Sequence, residues 1–125
     1  MFAVGVVTQF EAAHALRGDF GPASRLHGHT YRVEVEVVGP QLQADGTLFD
    51  IGRLRVWVDE VVGDLNYRNL DDLPAFAERN TTAEEVCRYL RDVLSPRLHG
   101  QGLRSLSVRV WESPQSYAAC SRELS

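Results

Sequence analysis

The chain contains no lysine: its 13 basic residues are all arginine. That absence excludes imine chemistry of the Schiff-base aldolase or pyridoxal kind, which needs an amine that here only the chain terminus would supply. Cysteine is scarce as well. Cys87 and Cys120 form neither a disulfide framework nor a Cys-x-x-Cys pair, the usage expected of a reducing compartment. No run approaches the roughly twenty apolar residues that span a bilayer, and the opening MFAVGVVTQFEAAH has no basic segment ahead of its apolar residues. A cytoplasmic protein with no membrane segment and no signal peptide is therefore expected. A net charge of −4 without a basic stripe gives no reason to expect nucleic acid as a partner, which leaves a small molecule as the default. Repeats, low-complexity tracts and linkers are absent, so residues 1–125 are expected to form one domain around one core.

What is present is strong periodicity. Phe2, Val4, Val6, Thr8, Phe10, Ala12 and His14 alternate along a first strand over 2–14. A second strand, over about 29–38, places His29, Tyr31, Val33, Val35 and Val37 on one face and Arg32, Glu34 and Glu36 on the other, the mark of a sheet covered on one side only. After the turn-rich GPQLQADG the spacing becomes helical, with Ile51, Leu54, Val58, Val61, Val62 and Leu65 in one stripe and Asp50 as its N-cap. A second helix opens at NTTAEEV, where Thr81 with Glu84 or Thr82 with Glu85 offers a capping box. Its stripe is Ala83, Val86, Cys87, Leu90 and Leu94, and Pro96 with the following glycines is expected to end it. Leu106, Val108, Val110 and Glu112 then alternate over about 104–112, SPQS makes a turn, and Tyr117 to Arg122 forms a last strand. The order ββααββ predicts an α+β fold.

Strand parity gathers the chemistry. His27 and His29 point the same way if strand geometry begins at 27, and that way is the apolar face. His14 ends the first strand on the same face, and Glu112 does so on its own strand. Three neutral imidazoles suit zinc with an open fourth position, the arrangement of a catalytic site. Spacing alone equally allows three unrelated histidines bonded locally. Glu112 is either a solvated strand end or a carboxylate that accepts from two adjacent N–H donors on a guanine-like or pterin edge. His99 reads as a solvated helix end. Cys87 reads as core, and Cys120 as packing or, less simply, as a residue approaching the site. Arg25 and Arg32 read as surface charges.

Taken together, FEAAHAL, LHGHTY, GTLFDIGRL, NTTAEEV and VRVWESP resemble, in order and spacing and over nearly the whole chain, the 6-pyruvoyltetrahydropterin and 6-carboxytetrahydropterin synthase family. The resemblance implies a tunnelling fold, with a four-stranded antiparallel sheet and two helices packed on one face, assembled into a homohexamer. It implies Zn2+ on His14, His27 and His29, a pterin ring held by Glu112, and lyase chemistry on 7,8-dihydroneopterin triphosphate, as in queuosine biosynthesis. Zinc there grips the side-chain hydroxyls and eases loss of a neighbouring proton.

The catalytic positions depart from that pattern. The family's cysteine, four residues before the first histidine of HGH, corresponds to Ala23, and its Asp-His dyad corresponds to Asn66 and Tyr67 in LNYRNLD. A one-residue slip would substitute Ser24, a poor proton acceptor without a neighbouring base. The usual base is thus unassigned, and Glu11, Asp19, Tyr67, His99 or a group from a neighbouring subunit are candidates. The alternatives to an altered lyase are a non-catalytic pterin- or purine-binding homologue and a zinc-hydroxide hydrolase of a related heterocycle.

Overall fold

The computed structural model describes residues 1–125. Strand β1 (Phe2–His14) pairs antiparallel with β2 (His27–Gly39) over its full length, from Phe2 opposite Gly39 to His14 opposite His27. That register is the one the alternation demands, because a slip of one residue would turn Phe10, Tyr31, Val33 and Val35 outwards. Strand β4 (Ser105–Ser113) lies against the other edge of β2, and β5 (Ser116–Glu123) lies outside β4.

Two helices cover the apolar face. Helix α1 (Ile51–Gly63) is N-capped by Asp50, whose carboxylate accepts from the Arg53 N–H at 3.2 Å, and it buries Leu54, Val58, Val61 and Val62. Helix α2 (Ala83–Leu98) starts at Thr82, whose hydroxyl accepts from the Glu85 N–H at 3.2 Å. Val86, Cys87, Leu90, Leu94 and Leu98 pack from α2 into the same core as Val35, Leu106 and Val108. No helix is long and apolar enough to cross a membrane.

Three expectations need correction. The sheet has five strands, in the order β3-β1-β2-β4-β5, because the two-residue β3 (Arg68–Asn69) runs parallel to Ala12 and Ala13 of β1. Two residues carry no readable period. They are drawn in by contacts just upstream, where the Tyr67 N–H donates to the Glu11 carbonyl at 2.6 Å and the Glu11 N–H donates to Asn66 Oδ1 at 2.9 Å. Secondly, Pro96 does not end α2, which continues to Leu98. Its missing N–H falls in the last turn, where the carbonyl it leaves free belongs to exposed Asp92 and can be met by water. Thirdly, the α1 stripe is displaced: Ile51 is exposed, and Leu65 is buried just beyond the helix end.

Candidate metal and ligand site

The pairing of β1 with β2 brings the three histidines to one end of the sheet, since strand geometry begins at His27 and sets it opposite His14. Their candidate ligand nitrogens all lie within 4.8 Å of one another. His14 is buried, while His27 and His29 are half-buried and open towards solvent.

The ring tautomers are constrained by the main chain. His14 Nδ1 donates to the Thr81 carbonyl at 2.7 Å, and His27 Nδ1 donates to the Arg25 carbonyl at 2.6 Å. A carbonyl only accepts, so in the neutral rings Nε2 is left with a lone pair. His27 Nε2 and His29 Nε2 face each other at 3.0 Å. Two lone pairs at that distance repel unless a proton or a metal ion lies between them, and the donor set is one that zinc accepts. Desolvation lowers the pKa of His29, with the Glu112 charge opposing the shift, so the ring favours the neutral, ligating form. Beneath the cluster Tyr31 stacks on Phe10 and places its hydroxyl 3.5 Å from His14 Nε2. Burial first, then the Glu112 and Asp71 carboxylates, pushes that phenol up and keeps it protonated.

Glu112 faces the same side. The β4 to β5 ladder passes from Trp111 opposite Tyr117 to Ser113 opposite Ser116, so Glu112 is the extra residue of a bulge, a device that re-aims a side chain. It borders a cavity of about 220 Å³ with Phe20, Thr82, Ala83, Glu84 and Tyr117. Two carboxylates, Glu84 and Glu112, stand at the wall of this hollow, while His29 lines a separate open hollow with Gly28, Thr30 and Tyr67.

Of the residues at the departed catalytic positions, only Tyr67 lines a hollow with one of the histidines, His29. Ala23 sits in a short 3₁₀ turn (Gly21–Ser24), where its carbonyl accepts from the Leu16 N–H at 2.9 Å. Ser24 spends its hydroxyl inside the same loop, donating to the Gly18 carbonyl at 2.7 Å and accepting from the Phe20 N–H at 3.1 Å. Asn66 is held against Glu11, and Tyr67 is 81% exposed at a positive φ of 58°. Among the other candidate bases, Glu11 lies on the face opposite the histidines and accepts from the Thr30 hydroxyl through both oxygens, at 2.9 and 2.7 Å. Asp19 is in an exposed loop. His99 follows the far end of α2, about 26 Å along its axis from Thr82 at 1.5 Å per residue.

The comparisons with known proteins are consistent among themselves. The sequence matches the family model for 6-pyruvoyl tetrahydropterin synthase over residues 3–123. The chain belongs to this family. It is 29% identical to the 6-carboxy-5,6,7,8-tetrahydropterin synthase of Haemophilus influenzae, covering 94% of this chain and 96% of that one. It is 34% identical to the dihydroneopterin monophosphate aldolase of Pyrococcus furiosus over 82% of each chain. In fold it is similar to the Caenorhabditis elegans 6-pyruvoyl tetrahydropterin synthase, with a TM-score of 0.84, 24% identity, and 98% and 96% of the two chains covered. Family members are lyase-type enzymes of small pterin substrates, and the histidine cluster is compatible with the metal dependence typical of them.

Two features of the site escaped the sequence reading. Thr81 is a buried acceptor for His14 as well as a residue beside the helix cap, and Asp71 bonds to Thr81. Only the tertiary fold reveals either. Cys120 approaches Cys87, with the sulfurs 3.2 Å apart, and not the histidines; Cys87 donates to the Val108 carbonyl at 3.0 Å and is core, as its helical position predicts.

Proposed function

We propose that the protein is a zinc-dependent lyase acting on the side chain of 7,8-dihydroneopterin triphosphate or a closely related dihydroneopterin phosphate. The observation that carries this reading is the convergence of His14, His27 and His29, with two Nδ1 atoms tied to carbonyls. Bound there, zinc would polarise the substrate's side-chain oxygens and acidify the adjoining C–H. Glu112 accepts from adjacent ring N–H donors through its two oxygens, fixing the pterin so that its side chain reaches the histidines. Tyr31, kept protonated, lies under His14 as a neutral donor and adds no competing charge.

The chain carries no acid–base side chain at Ala23, Asn66 Oδ1 is taken up by the Glu11 N–H, and Tyr67 is largely exposed. The altered chemistry therefore draws its proton acceptor from the carboxylates at the cavity, or from a second copy of the chain. The same observation favours one other reading, a homologue that binds a pterin without converting it. A ring of copies, a homohexamer in the family arrangement, is supported by the open outer edge of β5 and by a β1 edge that pairs with another strand only at Ala12 and Ala13.

The deciding experiment is mass spectrometry of products after the zinc-loaded protein is incubated with 7,8-dihydroneopterin triphosphate, and separately with the monophosphate, beside a His27→Ala control. A carboxy, pyruvoyl or hydroxymethyl pterin formed by the unaltered protein alone supports the lyase. Unchanged substrate that nonetheless binds favours the binding homologue.

A further inference from the structure

His14 differs from the other two histidines of the cluster. It is 1% exposed, it comes from a different strand, and its Nδ1 partner lies 67 residues away in the chain. The Thr81 carbonyl orients the ring only if Thr81 is itself held. Its hydroxyl donates to Asp71 Oδ1 at 2.8 Å, and the other Asp71 oxygen, Oδ2, accepts the N–H of Ala15 at 2.9 Å. One carboxylate therefore clamps both the residue that follows His14 and the residue that accepts from the His14 ring. The circuit runs from His14 to Thr81, to Asp71, to Ala15 and back along the chain to His14. Asp71 is fixed in turn, because its own N–H donates to Asn69 Oδ1 at 3.0 Å and the buried Leu70 anchors its short 3₁₀ turn (Leu70–Asp72).

We propose that Asp71, acting through Thr81, is a positioning residue of the metal site: it sets the rotation of the His14 ring and supplies a negative charge close to the cation. The proposal rests on the metal reading above. The Thr81 hydroxyl that donates to Asp71 also lies 3.3 Å from His14 Nδ1, which places the carboxylate's charge close to the cluster. Groups that orient a metal-bound imidazole from outside the ligand sphere typically contribute about 10- to 100-fold in metal affinity. The clamp is also independent of the substrate, so it acts on metal binding before any turnover.

The test measures zinc dissociation constants by competition with a chromogenic chelator, and the visible absorption of the cobalt-substituted protein. The variants are Asp71→Asn, Thr81→Val, the pair combined, Thr81→Ser and His14→Ala, each first shown to be folded by circular dichroism. Asp71→Asn and Thr81→Val are each expected to weaken zinc by about 10- to 100-fold. The double variant should lose less than the product of the two, because both break one circuit. Thr81→Ser, which keeps the hydroxyl, should restore most of the affinity, and the cobalt bands should shift in Asp71→Asn but not in Thr81→Ser. Zinc affinity and cobalt spectra unchanged in Asp71→Asn and Thr81→Val, while His14→Ala loses the metal, overturn the inference and leave the metal site standing. Failure of the unaltered protein to bind zinc overturns the metal reading and this inference with it.

Discussion

Saturating the histidine cluster with zinc should stabilise the fold by an amount that can be worked out in advance. In the folded chain β1 and β2 hold His14 opposite His27, whereas in the unfolded chain only His27 and His29 remain close neighbours, so the metal binds mainly the folded state. Zinc at 100 times its dissociation constant then contributes about 2.7 kcal/mol. With an unfolding entropy of about 2.1 cal/mol/K per residue, a chain of 125 residues should melt about 10 °C higher. Calorimetry with and without a chelator, on the unaltered protein and on His14→Ala, checks this. His14→Ala should lose the zinc-dependent shift. It should also melt lower without metal, because the buried Thr81 carbonyl loses its donor at a cost of about 1–3 kcal/mol. The pH dependence has a definite sign. Burial lowers the His29 pKa, so the unfolded chain takes up that proton first on acidification, and metal-free stability falls as pH drops through the ordinary histidine value of about 6.5. Zinc affinity should fall over the same range, since each ligand must be neutral. An equal zinc shift in the unaltered protein and in His14→Ala would refute the assignment of the metal to this cluster.

Three further outcomes are expected. Glu112→Gln should leave the zinc shift intact and weaken binding of a dihydropterin, measured calorimetrically, by about 10- to 100-fold, the loss of charge-assisted hydrogen bonds; unchanged affinity would remove Glu112 from ring recognition. Tyr67→Gly should raise stability in urea by about 0.5–1 kcal/mol, because a left-handed, solvent-exposed side chain costs about 1–2 kcal/mol and glycine returns about half of that as lost chain entropy; a lower midpoint would show that Tyr67 makes contacts the single chain lacks. In native protein treated with iodoacetamide, Cys120 should be labelled well before Cys87, whose thiol is buried and pushed up by desolvation, and mass mapping of the labelled peptides decides it.

Much of the site was legible because strand parity is a rigid rule. Once Phe10, Ala12 and His14 share the apolar face of β1, and His29, Tyr31 and Val33 that of β2, pairing the two strands leaves few ways to keep the histidines apart. Helix stripes told as much about Leu54, Val58, Leu90 and Leu94, because a period of 3.6 survives in sequence without knowledge of the partner. Local rules also misled. Pro96 reads as a stop, yet in a last turn it removes a bond that was about to be lost anyway.

The sequence by itself determined the element order, the faces, and the chemistry of three imidazoles and one carboxylate, since each of these depends on residues a few positions apart. Only the tertiary structure decided what those groups meet. It carries Asp71 and Thr81 to His14, releases Glu112 at a bulge, joins Arg68 and Asn69 to the sheet, directs Tyr67 outwards and sets Cys120 against Cys87. These are contacts between segments distant in the chain, made when burial of a common core brings them together. No period or spacing along the sequence encodes them.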